Sequence, residues 1–131
     1  YIPTAVWNEL EKYDNPAFPK DYKNQLKSKT LQIQSKNHLA LLMDYGESES
    51  VILFQELNAD FLLIDDQKAR IMAESLGVNC IGSIGLLLLA KQKGLIKNLS
   101  SIFQIWLENG RYFSQNLLNE VLLKAGEKPI S

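Results

Sequence analysis

Two adjacent carboxylates, Asp65 and Asp66, point most directly to chemistry in this 131-residue chain. They directly follow the apolar run 61–64, which predicts a strand buried on both faces. In an open parallel α/β sheet, ligands bind at the carboxyl ends of the strands. Two carboxylates crowded there need a cation or a base to offset their repulsion, and Mg²⁺ prefers oxygen ligands of this kind. The alternative is that Asp66 caps the helix predicted to begin at Gln67, and both roles are compatible if one Asp caps while the other binds metal.

A serine follows the next predicted strand along the chain. Ser83 lies between Gly82 and Gly85, directly after the run 78–81, so it also reaches the carboxyl end of a strand. Its hydroxyl is suited to contact a phosphate or a metal-bound water at a helix N-terminus. The simpler interpretation is a glycine-lined turn in which Ser83 caps the helix. A Gly-x-x-Gly segment alone is a weak signal of phosphate binding.

Two glutamates open the helix predicted over 47–58. Glu47 lies on the same stripe as Val51 and Phe54, whereas Glu49 projects from roughly the opposite side. Acids in a first helical turn ordinarily offset the helix dipole. A carboxylate on the buried side, however, needs a partner, which a shared metal ion would supply. His38 is the only histidine, which argues against a zinc cage or a Ser-His-Asp triad.

The segments that must position these residues alternate between helices and strands. The stronger patterns predict helices over 4–13, 47–58, 67–76 and 83–92, and strands over 61–64 and 78–81. The weaker ones predict a loop over 14–19, a short helix over 21–29, a half-exposed strand over 31–34, and helices over 99–109 and 115–125. We expect Thr4 and Ser114 to be N-caps and Gly77 and Gly94 to end helices. The alternation predicts a parallel sheet with crossover helices, an α/β fold.

Composition limits the class of protein. With 46% hydrophobic and 22% charged residues and a formal net charge of −1, the chain fits one domain over residues 1–131. The balanced charge argues against a polybasic nucleic-acid coat and against an acidic disordered tail. One cysteine, Cys80, excludes a disulfide framework and a multi-cysteine zinc site. Because no signal peptide and no membrane-length apolar run is visible, we expect a cytoplasmic protein without a membrane partner.

Several segments together resemble the PIN-domain family, in particular its branch of VapC-type toxins. In chain order they are Ile2-Pro-Thr-Ala-Val-Trp-Asn-Glu-Leu10, Leu42-Met-Asp-Tyr-Gly-Glu-Ser-Glu-Ser-Val-Ile52, Leu63-Ile-Asp-Asp-Gln-Lys-Ala-Arg70, Gly82-Ser-Ile-Gly85, Ala90-Lys91, Gly94-Leu-Ile96 and Ala125-Gly-Glu127. Each segment is modest alone, but their order and spacing extend over essentially the whole chain.

The resemblance implies a metal-dependent ribonuclease with a PIN-like parallel sheet in a three-layer α/β/α arrangement. PIN domains bind Mg²⁺ or Mn²⁺ through acids at the carboxyl edge of the sheet, and the metal activates water for attack on an RNA phosphodiester. By motif, the catalytic and metal-binding acids would be Glu9, Glu47 or Glu49, Asp65 and Asp66. The substrate contacts would be Ser83, which replaces the usual Thr, together with Arg70 and Lys91, which are also candidates for pairing with the acids. The implied partners are single-stranded RNA, an antitoxin protein and a second copy of the chain.

The chain departs from the family pattern at its start. That pattern begins with a central strand ending in Asp-x-Ser/Thr, ahead of the Ile-Pro-x-x-Val segment, and no Asp here takes that place. We therefore expect a missing N-terminal strand, impaired catalysis by these residues alone, and a sheet completed by a missing segment or another chain. The alternative function is a non-catalytic PIN-like module that binds nucleic acid or an antitoxin. A receiver-type phosphorylation domain fits poorly, because no Asp lies between Asp66 and Ser83.

Overall fold

The computed structural model describes residues 1–12, 18–110 and 113–131, and the chain forms two compact units, Tyr1–Ile81 and Gly82–Ser131. Helices and short parallel strand pairs follow one another, which confirms the predicted α/β class. Most of the predicted loop 14–19 and the predicted helix end at Tyr13 lie outside the described residues.

The first unit holds the strands and four of the helices. Along the chain these are β1 (Ile2–Pro3), α1 (Thr4–Lys12), α2 (Lys20–Ser28), β2 (Thr30–Leu31), α3 (Tyr45–Leu57), β3 (Leu62–Leu63), α4 (Gln67–Ser75) and β4 (Cys80–Ile81). Strand β1 pairs in parallel with β2, and β3 pairs in parallel with β4. The predicted parallel pairing is therefore present, but as two separate two-stranded sheets in the described chain.

The strand predicted over 31–34 is mostly wrong, because the observed strand β2 stops at Leu31. The backbone N–H groups of Gln34 and Ser35 donate to the Glu56 carboxylate of α3 at 2.9–3.0 Å instead of to a neighbouring strand. The alternation of apolar and polar residues over 31–34 therefore belongs mostly to a loop, which the Glu56 side chain of α3 holds in place.

The prediction that β3 is buried on both faces is also wrong. The exposed fractions of Phe61 and Leu63 are 59% and 54%. The N–H groups of Leu62 and Ile64 donate to the carbonyls of Asn79, just before β4, and Ile81, at 2.8 and 2.9 Å. The N–H and carbonyl of Leu63 therefore point to the opposite edge. Beside that edge lies a groove of about 470 Å³ between β1, α3 and β3, which we call the apolar groove. Its lining includes Tyr1, Pro3, Leu53, Phe54, Leu57 and Leu63.

Helix α3 forms the centre of the core of the first unit. Val51, Ile52 and Leu53 are buried on it, and α1 packs against it. Thr4 is the first residue of α1 and not the expected N-cap, since its hydroxyl donates to the Leu31 carbonyl at 3.3 Å. The hydroxyl therefore joins α1 to β2 and does not bind the α1 backbone as a cap would.

The second unit consists of α5 (Ser83–Gln92), α6 (Ser100–Glu108) and α7 (Gln115–Lys124) with their connections. Its core contains the buried residues Leu99, Phe103, Leu118 and Leu122. The predicted cap at Ser114 is confirmed, because its hydroxyl accepts from the Leu117 N–H at 3.2 Å. Among the helices in the described ranges, none is long and apolar enough to span a membrane.

Candidate functional site

The N-termini of α3 and α4 bring acidic side chains to one part of the first unit. Asp44 is the N-cap residue of α3, but its side chain makes no capping hydrogen bond. Glu47 follows in the first turn. Asp66 is the N-cap of α4 and its Oδ1 accepts from the Ala69 N–H at 2.9 Å, which confirms the capping role predicted for it.

Two cavities share these side chains. One of about 440 Å³ is lined by Asp44, Glu47 and Asp66, with Lys68 and several apolar residues. The other, of about 200 Å³, is lined by Asp44, Glu47 and Glu9 of α1. We call the four acids Glu9, Asp44, Glu47 and Asp66 together the acidic pocket. Asp44 and Glu47 both lie at the N-terminus of α3, and tertiary packing brings Glu9 to one of their two cavities and Asp66 to the other.

A glycine allows α1 and α3 to approach each other at this pocket. A Cβ atom on Gly46 would lie 2.8 Å from Glu9 Oε1 and 3.3 Å from Val6 Cγ2. The first distance is shorter than real contacts of a Cβ atom, so any larger residue at this position would displace the Glu9 carboxylate. The glycine of the Gly-Glu-Ser-Glu segment is therefore needed for the position of Glu9.

Glu47 is the carboxylate whose ionisation the pocket opposes. Burial raises the pKa of Glu47 above its ordinary value, and repulsion by Asp44 and Asp66 raises it further. A hydrogen bond from the Asp44 backbone lowers the pKa but does not offset these effects, and Glu9 contributes additional repulsion. The ionised form of Glu47 is thus under-stabilised by the protein, and a bound cation would correct this.

The second glutamate of the motif has a different environment. Glu49 Oε1 accepts from the backbone N–H of Ala5 at 3.0 Å, which satisfies one of the N-terminal donors of α1. Of the two glutamates left open by the sequence, the structure therefore brings Glu47 into the acidic pocket and directs Glu49 to α1. Asp65 is half-buried after β3 and does not line either of the two cavities among the described residues.

Arg70 binds the end of β3. Its Nη2 donates to the Ile64 carbonyl at 3.0 Å, while its Nε is buried and has no hydrogen-bond partner within the described ranges. The guanidinium therefore holds the strand end that leads into Asp65. Arg70 lines neither cavity of the acidic pocket as far as the described residues show.

Ser83 and Lys91 belong to the second unit. Ser83 is the first residue of α5, and Gly82 occupies the N-cap position predicted for the serine. Lys91 Nζ donates to Glu127 Oε2 at 2.6 Å and to the Ala125 carbonyl at 3.1 Å. These contacts use two of the three donors of the ammonium group in a structural role.

Sequence reasoning missed Asp44 as a member of the site. Asp44 lies outside the helix predicted over 47–58, and only the structure shows that α3 begins at Tyr45, with Asp44 at the N-cap position and no capping bond from its side chain. The available signal was its place three residues before Glu47, which brings both side chains to the same end of α3.

The donor chemistry of the acidic pocket fits a hard divalent cation. All four acids offer carboxylate oxygens, which Mg²⁺ and Mn²⁺ prefer. Over the described ranges, no group of three or more His, Cys, Asp or Glu side chains is close enough to hold an ion by itself. Mg²⁺ usually keeps several waters and needs only one or two carboxylates besides substrate phosphates, so this arrangement remains compatible with it.

Comparison with known proteins identifies the family. A sequence profile described as a PIN domain matches residues 1–127. No curated protein and no solved structure matches the chain significantly. PIN domains are nuclease-type modules with an α/β/α fold that typically use divalent metals. Because the profile covers nearly all of the sequence, the chain belongs to the PIN-domain family.

Proposed function

We propose that the chain is the nuclease module of a VapC-type ribonuclease that cleaves single-stranded RNA with Mg²⁺ or Mn²⁺. The observation that carries the proposal is the convergence of acids from α1, α3 and the start of α4 in the acidic pocket. Membership of a family of nuclease-type modules supports the same conclusion.

The carboxylates of the acidic pocket would hold the ion, with Asp44 and Glu47 at the centre because these two line both cavities. The chemistry that such an ion supplies is activation of water and neutralisation of charge on the phosphate. Asp66 uses Oδ1 for its helix cap, which leaves Oδ2 for the ion. Lys68 lines the same cavity and offers a cation to a substrate phosphate.

The remaining residues, apart from Glu49, keep the roles that the resemblance predicts. Asp65 stays a proposed acid of the site, and Glu49 is proposed to support α1 instead of binding metal. Contact of Ser83, Arg70 and Lys91 with the substrate stays a prediction, as do an antitoxin partner, a homodimer and a cytoplasmic location.

A pair of matched substitutions tests the metal site. The full-length gene product that carries this chain is assayed for cleavage of a single-stranded RNA with Mn²⁺, with Mg²⁺ and with excess chelator. We expect Glu47→Gln to lower the rate about 100-fold or more, because it removes a metal-binding carboxylate, while Glu49→Gln keeps most activity. The double variant Asp65→Asn with Asp66→Asn should also lose activity. Cleavage that persists in excess chelator, or equally in both glutamate variants, would refute the proposal.

A non-catalytic nucleic-acid-binding module is the second candidate. It is favoured by the finding that no group of three potential ligands converges closely enough to hold an ion, as far as the described residues show. This candidate predicts that the full-length gene product binds RNA in a filter-binding assay without cleaving it at any Mn²⁺ concentration. Cleavage that begins only when Mn²⁺ is added would exclude it.

A further inference from the structure

A buried serine joins the first turn of α3 to the loop before it. Ser48 has an exposed fraction of 0% and is the one buried polar side chain in the described ranges of the chain. Its hydroxyl donates to the Tyr45 carbonyl at 3.1 Å and accepts from Asn37 Nδ2 at 2.8 Å. Burying a hydroxyl costs free energy unless it is hydrogen-bonded, so this serine depends on its partners.

Asn37 extends the connection into the loop. Its Oδ1 accepts from the Leu39 N–H at 3.2 Å, and the Leu39 side chain is itself buried in the core. The Leu39 carbonyl then accepts from the N–H groups of Leu42 and Met43, at 2.9 and 3.1 Å. A continuous set of hydrogen bonds therefore runs from the residues just before Asp44 into the first turn of α3.

That turn carries two members of the acidic pocket. Asp44 and Glu47 lie on either side of Tyr45, whose carbonyl accepts the Ser48 hydroxyl. Because the Asp44 side chain does not cap its own helix, its position depends on how the backbone is held. Neighbouring groups that orient metal-binding side chains typically change metal affinity by about 10–100-fold.

We propose that Asn37 and Ser48 are positioning residues that hold Asp44 and Glu47 in the arrangement that binds a divalent cation. The inference rests on the proposed function, since it requires the acidic pocket to bind metal. A purely local role of the hydroxyl does not account for the Asn37 contact. The exposed Ser75 of α4 makes the same local bond, to the Met72 carbonyl at 2.6 Å, with Met72 as its only partner among the described residues.

Metal binding without substrate tests the inference. The dissociation constant for Mn²⁺ is measured by calorimetry on the full chain for the wild type, Ser48→Ala, Asn37→Ala and the matched control Ser75→Ala. We expect both substitutions of the pair to weaken Mn²⁺ binding about tenfold or more, and the control to leave it unchanged. The double variant should bind Mn²⁺ about as weakly as either single variant, because the two residues act through one hydrogen bond.

The unfolding midpoint of each variant separates positioning from stability. A pair with only a structural role would lower the midpoint and leave Mn²⁺ affinity unchanged, which overturns the inference while the proposed function stands. A wild-type chain that binds no Mn²⁺ overturns the proposed function and the inference with it. Should Ser48→Ala fail to fold, Asn37→Ala decides, because Asn37 lies half-buried in a loop.

Discussion

Two carboxylates, one in each unit, show opposite solutions to the same physical problem. Glu127 in the second unit accepts from Lys91 Nζ at 2.6 Å and from the N–H groups of Leu99 and Ser100 at 2.8–3.1 Å. Burial alone would raise the pKa of Glu127, but these hydrogen bonds outweigh it and lower the pKa below the ordinary value. Glu47 in the acidic pocket is also desolvated, yet its neighbours are mostly other acids and its pKa is raised.

The difference separates an acid whose charge the surrounding donors stabilise from an acid whose charge the surrounding carboxylates oppose. Glu127 caps the N-terminus of α6 and anchors the chain end through an ion pair, so its charge is fully used. Glu47 has unused charge beside a cavity, which is typical of functional sites. Stability and function should therefore respond in opposite ways when the two acids are replaced.

The largest expected effect on stability follows from Glu127→Ala. This change leaves the Lys91 ammonium and two backbone N–H groups without their acceptor, and we expect a loss of about 2–3 kcal/mol in the free energy of unfolding. Urea denaturation measures it, with the exposed Glu120→Ala on the same unit as control. In the same assay, Glu47→Gln should leave stability unchanged or raise it. Equal urea midpoints for Glu127→Ala and Glu120→Ala would show that Glu127 has no special structural role, and the contrast with Glu47 would be lost.

A smaller effect is expected from Gly46→Ala. The new Cβ atom would displace the Glu9 carboxylate, and we expect Mn²⁺ affinity to fall about tenfold because one member of the acidic pocket moves. Stability should change by less than about 1 kcal/mol, since alanine is the better helix former but must also fit against Val6. In a Glu9→Ala background, the same substitution should have no further effect on affinity. A tenfold loss in that background as well would show that the helix itself, and not Glu9, is disturbed.

The dependence of stability on pH should differ in sign for the two acids. The folded-state pKa of Glu127 is lowered from 4.5, so its contribution is present above pH 4.5 and is lost as the pH falls through the folded pKa. The folded-state pKa of Glu47 is raised from 4.5, so its contribution is present below pH 4.5 and is lost as the pH rises through the folded pKa. When the free energy of unfolding is plotted against pH, the plot for Glu127→Gln should therefore be flatter than that of the wild type below pH 4.5. The plot for Glu47→Gln should be flatter above pH 4.5. Identical profiles for both variants would contradict the assignment.

The smallest effect concerns the open edge of β3, and it tests the prediction that the sheet is completed by a further strand. In the chain alone, hydrogen exchange should be slow at the Leu62 and Ile64 amides, which donate to Asn79 and Ile81, and fast at Leu63. We propose that a strand entering the apolar groove would protect Leu63 as well. Protection of Leu63 in dilute chain without any partner would show that its edge is already satisfied.

The sequence predicted features that depend on neighbouring residues better than features that depend on distant ones. The predicted bounds of α5 and the predicted caps at Asp66 and Ser114 are confirmed, because the residues adjacent to a helix end determine where the helix begins or stops. The exposure of β3 was predicted wrongly, because it depends on which strands lie beside it.

The candidate site shows the same limit. Glu9, Asp66 and one of Glu47 and Glu49 were predicted as site acids. In the structure Glu47 lines one cavity with Glu9 and another with Asp66. The hydrogen bond between Glu49 and the Ala5 N–H could not be predicted from the sequence, because it forms only when the N-terminus of α1 packs beside α3. Asp44 was missed because the helix was predicted to begin at Glu47, whereas α3 begins at Tyr45.

Helix α3 holds the preceding loop at two points, and this has a consequence for motion. Glu56 binds the N–H groups of Gln34 and Ser35 near the start of the loop, and Ser48 binds Asn37 further along. Loops of this kind are ordinarily the mobile parts of a protein, but this one is tied to a helix whose core residues are buried. We therefore expect the loop to move with α3 as one body and not to close over the acidic pocket as a lid.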